Sequence, residues 1–388
     1  MHPELDLIAS IVFLLVQWRI TAGWLRLAGR LFSGWIRAAA RGAVFVFDAV
    51  LLTGYLFSLS EMMARLGIPG HLALLMGAGA LAYLITATVV LAVYLAFQAI
   101  GKRLGAEVDP GRRRALHAAG NILMAAPFAV MGYGALVGRL AFRVRELDVP
   151  LPGLPLDLDG LRILQLSDIH LSAFLHEAEL AKVIDMAREL RPHVAVVTGD
   201  LISSRGDPLD ACIRQLARVK SDAGTFGCMG NHERYARAER YVTEAGGRAG
   251  IGFLRGETRT LRFGSAVLNL AGVDYQSSLA RENYLRGAER LVVPGAVNVL
   301  LSHNPDVFPV AARQGYNLLL AGHTHGGQVT VEILDQSINP ARFFTPYVYG
   351  LFRWGRSAAY VTRGIGTIGI PARIGAPPEI SVLRLRKA

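Results

Sequence analysis

Two histidines flanked by glycines, His323 and His325, follow a run of four apolar residues near the end of the chain. The run predicts a short buried strand, and the glycines allow a sharp turn at its end. Two histidines separated by one residue point to different sides of an extended backbone, which suits two neighbouring metal ions better than one. The alternative is a pair of turn histidines that bind no metal.

The same arrangement occurs four more times upstream, each time as an apolar run that stops at polar residues able to bind metal. These polar residues are Asp168 and His170, then Asp200, then Asn231 with His232 and Glu233, and then His303. Residues 177–190 between the first two runs have apolar side chains at helical spacing. Strands that alternate with helices predict an α/β sheet, in which side chains beyond the carboxyl ends of the strands converge on one site.

These ordered motifs, D-x-H, G-D, G-N-H-E, H and G-H-x-H, resemble those of the calcineurin-like metallophosphoesterases. The resemblance covers roughly residues 161–386. The Gly-rich stretch at 363–369 and the A-P-P-E at 376–379 are similar to the membrane-attached bacterial branch of that family. The resemblance implies an α/β fold, a four-layer sandwich of two mixed β-sheets flanked by helices, preceded by an α-helical transmembrane region.

The resemblance also implies a set of metal ligands. They are Asp168, His170 and His325 for one ion, Asn231, His303 and His323 for the other, and Asp200 as a bridge between the two. His232 is implied to contact the phosphate or the leaving oxygen, as a general acid or a charge-stabilising group. Carboxylate, amide and imidazole donors without cysteine suit Mn, Fe or Zn as the two divalent ions.

Two departures from the family pattern carry information. Ser203 stands in G-D-L-I-S, which lacks the V-D-R-G with which protein serine/threonine phosphatases supply a phosphate-binding arginine, so that class is disfavoured. Ser203 also stands where many relatives of this branch carry an acidic residue, which puts in doubt a supporting role for this position. Arg363 is a candidate for binding the substrate phosphate, the alternative being an arginine that merely neighbours a glycine turn.

The first 145 residues contain most of the apolar excess of a chain of 388 residues that is 52% hydrophobic. We predict a membrane region at 1–145, a connector at 146–160 and the catalytic domain at 161–388. The hydrophobic segments of the membrane region are 5–18, 42–59, 71–100 and 118–137. The first is shorter than the usual span of about 20 residues and is either a span or a re-entrant segment. Asp48 in the second is expected to pair with Arg41, with a functional intramembrane carboxylate as the alternative.

Basic residues decide the expected orientation. Arginines between Arg19 and Arg37 alternate with apolar residues, which fits either a helix on an anionic membrane surface or a juxtamembrane helix. The three loops between the segments carry five, one and five lysines and arginines, so the first and third are expected inside. This predicts a multi-pass protein of the bacterial inner (cytoplasmic) membrane with an outward-facing catalytic domain. Three arginines just after the last segment argue against this orientation, because basic residues favour the cytoplasmic side.

The sequence therefore predicts a membrane-anchored, dimetal phosphoester hydrolase. Its substrate would be a lipid-linked or amphiphilic phosphodiester or pyrophosphate, such as the UDP-2,3-diacylglucosamine of lipid A synthesis, and its other partner the lipid bilayer. The formal charge of +11 lies mainly in the membrane flanks and does not indicate a nucleic-acid partner. Two alternatives stay open, a hydrolase of a soluble phosphodiester and a membrane sensor that binds a phosphorylated ligand without turnover.

An aromatic cluster follows the last histidines. Its members are Phe343, Phe344, Tyr347, Tyr349, Phe352 and Trp354. The favoured interpretation is packing within the second sheet, and the alternative is an apolar wall for an acyl or isoprenoid tail.

Overall fold

The computed structural model describes residues 3–59, separate positions between 80 and 99, and 129–388 apart from 334 and 335. The chain divides into two compact units. One is Met1–Ala135 with Gly369–Pro371, and the other is Leu136–Ile368 with Ala372–Ala388.

Two long helices, α1 (Pro3–Leu31) and α2 (Gly34–Leu59), make up most of the described N-terminal unit. Within the described residues, the helical stretch that is long and apolar enough to cross a membrane is Ile11–Leu31. The predicted segment 5–18 is thus part of a longer helix, because no proline interrupts the chain after Trp18. The arginine-rich stretch after Trp18 is likewise not a separate helix. Segment 42–59 lies in α2, while 71–100 falls mostly, and 118–137 partly, outside the described residues.

The Asp48 carboxylate contacts α1 rather than Arg41, which corrects the predicted pair. It accepts hydrogen bonds from Gln17 Nε2 at 2.5 Å and from Thr21 Oγ1 at 2.7 Å. Arg41 lies two helical turns from Asp48 on the same helix, whereas Gln17 and Thr21 are one turn apart on the facing one. Polar groups that bond across an apolar helix contact fix how the two helices face each other.

The C-terminal unit contains fourteen described strands. They are β1 (Arg143–Leu151), β2 (Arg162–Leu166), β3 (Val194–Thr198), β4 (Thr225–Cys228), β5 (Ile251–Phe253), β6 (Glu257–Phe263), β7 (Ala266–Gly272), β8 (Val297–Leu301), β9 (Leu318–Ala321), β10 (Val331–Ile333), β11 (Gln336–Ile338), β12 (Gly350–Trp354), β13 (Ser357–Val361) and β14 (Glu379–Lys387). One mixed sheet has the order β1-β14-β2-β3-β4-β5 and the other β12-β13-β9-β8-β7-β6, while β10 and β11 form a hairpin.

The two sheets pack face to face and each carries helices on its outer face. The helices are α3 (Glu177–Glu189), α4 (Leu209–Leu216), α5 (Asn231–Ala236), α6 (Glu239–Arg248) and α7 (Phe308–Gln314). One apolar core lies between the sheets, a second packs α3, α4 and α6 on the first sheet, and a third packs α7 on the second sheet. The predicted four-layer α/β sandwich of two mixed sheets is therefore confirmed.

The five predicted apolar runs are strands β2, β3, β4, β8 and β9. The first three are neighbours in one sheet and pair in parallel, and the last two are parallel neighbours in the other. Parallel strands place their carboxyl ends at one edge of a sheet. The polar residues that follow the five runs are consequently brought to the same end of the sandwich.

The first residues of the predicted connector, 146–160, belong to a strand of the first sheet, β1. All nine residues of β1 pair in parallel with β14, from Arg143 with Glu379 to Leu151 with Lys387. Leu154 and Leu158 then continue into the core between the sheets. Pro150 fits because β1 is an edge strand, whose outer side has no neighbour to receive a backbone N–H.

The aromatic cluster is divided between packing and exposure. Tyr347 packs with its ring 5.7 Å from Phe308 and 5.1 Å from Phe352, as the favoured interpretation required. Phe343, Phe344 and Trp354 are exposed instead, so packing within the sheet is wrong for these three residues. Phe343 and Phe344 lie at the end of the turn Pro340–Phe343, and Trp354 is the last residue of β12.

Deleting residues 1–160 should prevent the catalytic unit from folding, whereas deleting residues 1–137 should not. The longer deletion removes Val149, Leu151, Leu154 and Leu158, which are all buried between the sheets. Burial of each such side chain contributes roughly 1.5–3 kcal/mol. The combined loss is comparable with a typical total stability of about 5–15 kcal/mol.

Thermal unfolding of purified fragments 138–388 and 161–388 measures this. We expect a cooperative transition from the longer fragment and aggregation or no transition from the shorter one. Val149→Asp in the longer fragment provides a test without truncation and should lower its melting temperature strongly. Equal melting temperatures of the two fragments would show that β1 does not support the sheet.

Candidate metal centre

Seven polar residues meet at the carboxyl ends of the five strands. Asp168 and His170 follow β2, Asp200 follows β3, Asn231 begins α5 after β4, His303 follows β8, and His323 and His325 follow β9. All are buried except His323, which is half-buried. The structure thus brings together every residue that was predicted to bind metal.

The first group consists of Asp168, His170 and His325. Each offers one ligand atom, and the three atoms lie within 4.8 Å of one another. The Nε2 atoms of the two histidines face each other at 3.2 Å, and Asp168 Oδ1 lies 3.4 Å from His325 Nε2. A cation among these atoms would satisfy both imidazoles and the carboxylate at once.

The second group consists of Asp200, His303 and His323, again within 4.8 Å. Asp200 Oδ2 lies 3.0 Å from His303 Nε2 and 3.5 Å from His170 Nε2, which belongs to the first group. Asp200 is thereby placed between the two groups, as a bridging ligand would be. Asn231 Oδ1 is buried and has no hydrogen-bond partner within the described part of the chain. An amide oxygen in that state fits a metal ligand, so the residues present fit two divalent ions.

Backbone and hydroxyl oxygens orient two of the histidines. His303 Nδ1 lies 2.7 Å from the carbonyl of Thr198, and His170 Nδ1 lies 3.1 Å from Ser203 Oγ. When Nδ1 donates to these oxygens, Nε2 presents its lone pair to the centre. Ser203 therefore supports a candidate ligand, although the sequence departure had put such a role in doubt. A hydroxyl oxygen accepts a hydrogen bond from the imidazole N–H, as a carboxylate at this position would.

His232 lies at the edge of the centre and is half-buried. Its backbone N–H donates to Asp200 Oδ1 at 2.9 Å, and its Nδ1 lies 2.5 Å from the carbonyl of Ser203. Its ring centroid is 4.7 Å from that of His170. The other ring nitrogen, Nε2, is consequently the one that a substrate can reach.

The charge balance of the centre favours added positive charge. Burial works against a charged imidazole, but Asp200 and Asp168 raise the pKa of His303 to about 10. Burial alone would raise the pKa of Asp200, yet His303 and His170 hold it below its usual range. Burial lowers the pKa of His170 to about 3. A proton on His303 thus offsets part of the negative charge of Asp168 and Asp200. A bound divalent ion would supply that positive charge instead, and the proton would be released.

Five of the seven residues have a left-handed backbone. Asp168, His170, Asp200, His323 and His325 have φ angles of 49°, 48°, 56°, 73° and 53°. Non-glycine residues adopt this conformation at a cost of roughly 1–3 kcal/mol when the surrounding structure enforces it. Such strain concentrates at functional sites, and here it lies just beyond the ends of three of the five strands, β2, β3 and β9.

Glu233 holds two of the ligand loops together, a role that the sequence analysis missed. Its fully buried carboxylate accepts hydrogen bonds from the backbone N–H groups of Asp200, Leu201 and Gly230 at 2.9, 2.7 and 2.8 Å. Burial raises its pKa above the usual value. The sequence signal was present, because an acidic residue three positions after a helix N-cap typically accepts such bonds.

Arg373 is a second missed residue, and its guanidinium is fully buried. It donates to the carbonyls of Gly366, Ala376 and Arg363 at 3.0, 3.1 and 2.8 Å, and Nη2 lies 3.4 Å from His325 Nδ1. Burial lowers its pKa to about 9. Arg373 ties the loop of His325 to the Gly-rich stretch, and nothing in its local sequence distinguishes it from an exposed arginine.

Two further side chains lie at the rim of the centre. Arg363, the predicted phosphate-binding residue, has its guanidinium 3.9 Å from the centroid of the Tyr349 ring. Tyr275 has its ring 5.6 Å from that of His323. Burial raises the pKa of Tyr275 to about 12, so its hydroxyl stays protonated at neutral pH. Tyr275 follows β7, a position that carried no motif.

Part of the chain is similar to known proteins. A family model described as calcineurin-like phosphoesterase matches residues 161–327. A transmembrane protein with metallophosphoesterase domain from Danio rerio is 31% identical over 272 residues, which are 66% of this chain and 60% of that protein. The chain therefore spans less than two thirds of that relative.

Two bacterial relatives are covered more fully. The uncharacterized metallophosphoesterase YkuE of Bacillus subtilis is 32% identical over 249 residues, which are 60% of this chain and 82% of that protein. Phosphodiesterase YaeI of Escherichia coli is 29% identical over 231 residues, or 58% of this chain and 82% of that protein. Because the family model includes all five strand-end motifs and YkuE is matched over most of its length, the chain belongs to the calcineurin-like phosphoesterase family.

Proposed function

We propose that the protein is a metal-dependent phosphoester hydrolase that acts on phosphodiesters. The observation that carries this proposal is the Asp200 carboxylate, which lies between two groups of buried ligands with His232 at the edge. The name of the relative YaeI, a phosphodiesterase, supports the choice of a diester.

The metal ligands divide as the two groups do. Asp168, His170 and His325 would hold one ion, Asn231, His303 and His323 the other, and Asp200 both. Mn, Fe or Zn suits this mixture of oxygen and imidazole donors. Two such ions, when bound, lower the pKa of a water molecule and neutralise charge on the phosphate. Glu233 and Ser203 would keep the ligands in place as the substrate binds.

His232 would act as the general acid. Its Nδ1 is engaged by the carbonyl of Ser203, so the proton that it can give is on Nε2. As the P–O bond breaks, transfer of that proton to the leaving oxygen prevents the build-up of an unstable alkoxide. Arg363 at the rim would contact a phosphate oxygen that takes no part in the reaction, or a group next to that phosphate.

The substrate that we propose is an amphiphilic or lipid-linked phosphodiester or pyrophosphate, with UDP-2,3-diacylglucosamine as one candidate. Support comes from the apolar helix at Ile11–Leu31 and from the hydrophobic segments predicted in 1–145. A soluble phosphodiester is the second candidate, since the catalytic residues do not depend on a lipid tail. A sensor without turnover fits less well, because His232 is present beside the complete set of ligands.

We also propose a multi-pass protein of a bacterial inner membrane with its catalytic unit outside. This rests on the basic residues between the predicted hydrophobic segments, which stay on the cytoplasmic side. In the structure the arginines of the first such stretch lie on α1 and α2 rather than in a loop, so the proposal depends mainly on the third stretch. An outward-facing unit would favour an envelope lipid over the UDP-linked precursor, which is a cytoplasmic substrate.

Asp200→Asn should remove both metal ions, because the amide cannot bridge two cations with full negative charge. The loss of affinity should exceed the roughly 10–100-fold effect typical of residues that only support a ligand. Metal analysis of the purified full chain measures it, with the exposed Asp185→Asn as a matched control that keeps its metal. Normal metal content and turnover in Asp200→Asn would contradict the assignment.

His232→Ala should keep both metals and lose roughly 10²-fold or more in turnover of an alkyl phosphodiester. A diester of p-nitrophenol should be affected much less, because its leaving group needs no proton. His176→Ala, which removes a histidine at the start of α3, is the control. An equal loss for both diesters would rule out the general-acid role.

A reporter fused after Ala388 should be active only if it functions outside the cytoplasm. A second fusion, to a reporter that functions only inside, should be silent. The physical reason is the retention of the basic first and third stretches on the inner side. Signal from the inside reporter alone would overturn the proposed topology and favour the UDP-linked precursor.

A further inference from the structure

The three most exposed large apolar side chains in the described part of the C-terminal unit lie on two loops. They are Leu279, Phe343 and Phe344, which are 96%, 89% and 79% exposed. Burying such a side chain is worth roughly 1.5–3 kcal/mol, so leaving three in water is unfavourable. Their exposure indicates a surface that a membrane or another molecule covers.

The two loops share one anchor. Leu279 belongs to the turn Ser278–Asn283, and Phe343 ends the turn Pro340–Phe343. The carboxylate of Asp306 lies between them, with Arg281 Nη2 at 3.5 Å from Oδ2 and the hydroxyl of Thr345 donating to Oδ1. The two segments are therefore neighbours on the surface of the unit, and we call 278–283 and 340–345 the rim loops.

The rim loops start from the metal centre itself. The first follows Tyr275, whose ring lies 5.6 Å from that of His323. The second is held by Asn339, whose side-chain amide donates to the carbonyl of Gly326 at 2.8 Å. Just after it, the carbonyl of Val348 accepts from the Thr324 hydroxyl at 2.5 Å. The exposed tips are thus fixed relative to the opening of the centre.

The charge of the second rim loop is one-sided. Within 340–345 the sequence has one basic residue, Arg342, and no acidic residue. Arg342 is exposed and precedes the two phenylalanines directly. On the first rim loop Arg281 pairs with Asp306, which is only 13% exposed, and the exposed Glu282 stands beside Arg281. Arg342 is therefore the basic residue that an anionic surface would meet. Phenylalanine and leucine side chains beside basic residues are typical of segments that lie in the membrane–water interface. Each basic residue near an anionic surface contributes about 1 kcal/mol.

We propose that the rim loops dock on the surface of an anionic phospholipid bilayer and insert Leu279, Phe343 and Phe344 at the level of the headgroups. The same chain has a helix able to cross a membrane, so a bilayer is within reach. A second copy of the chain fits less well. A specific protein interface buries about 800 Å² per partner, and three protruding side chains offer less than that.

This inference goes beyond the proposed function because it assigns a membrane contact to the catalytic unit itself. With the tips inserted, the opening of the metal centre faces the headgroups. A phosphate at that depth would reach the centre without leaving the membrane.

The test uses the full chain in vesicles of phosphatidylcholine and phosphatidylglycerol that contain a spin-labelled lipid. Phe344→Cys and Leu279→Cys each carry an environment-sensitive fluorophore, and the native Cys212 and Cys228 are buried and do not compete for it. The control is Leu156→Cys, which is 74% exposed. Its neighbour Asp157 bonds Ser265, at the amino end of β7 and hence away from the rim loops.

We expect the lipid to quench the fluorophore at 344 and at 279 about twofold or more beyond the quenching at 156, since interfacial insertion of about 5–10 Å brings it to the lipid label. Arg342→Glu should reduce the quenching at 344 in these vesicles, because it replaces attraction to the anionic lipid by repulsion. Turnover is not measured, so the result stands apart from the proposed hydrolysis.

Equal quenching at 344, 279 and 156 would overturn the proposal, as would its absence at 344 and 279. Energy transfer between fluorophores on two chains without quenching by lipid would assign the rim loops to a second copy instead. If the quenching at 344 changed neither with Arg342→Glu nor with the fraction of phosphatidylglycerol, the preference for an anionic surface would be overturned.

Discussion

Two carboxylates, Asp168 and Asp200, are buried beyond the ends of the strands, and the rest of the catalytic unit has to compensate their negative charge. A buried charge without compensation costs several kcal/mol, so neighbouring groups must supply positive charge or hydrogen-bond donors. Backbone N–H groups supply part of it: His323 donates to Asp168 and His232 donates to Asp200, each at 2.9 Å. The imidazoles supply the lone pairs that then make a cation the natural occupant.

Satisfying these carboxylates requires the chain to come very close to itself. Asp200 lies against Gly230, where a side chain would occupy the position of the carboxylate oxygen, and Asp168 lies against Gly322 in the same way. The left-handed turns at the ligands add strain. Two continuous apolar cores, one between the sheets and one beneath α3 and α4, provide the rigidity that holds this arrangement.

Local sequence was sufficient to predict the five strands that carry the metal ligands, because an apolar run that ends in polar residues indicates both a buried strand and its carboxyl end. It was insufficient wherever the deciding partner is distant. Arg143 on β1 is the strand partner of Glu379 on β14, more than two hundred residues later in the chain. Local sequence therefore made β1 resemble a connector. Asp48 finds its partners on another helix, and the exposure of Phe344 depends on what the rest of the fold leaves uncovered. Ser203 shows that a hydroxyl can replace an expected carboxylate.

The strand order of the first sheet has a consequence for synthesis. β14, formed by nearly the last residues of the chain, lies between β1 and β2, which are made more than two hundred residues earlier. Apart from an ion pair between Arg162 and Glu146, at 3.4 Å, the two early strands are joined through β14, which pairs with both. The first sheet therefore cannot be completed before β14 has been made and has paired with both strands. Because this pairing joins residues more than two hundred positions apart, it is a long-range contact of the kind that slows folding.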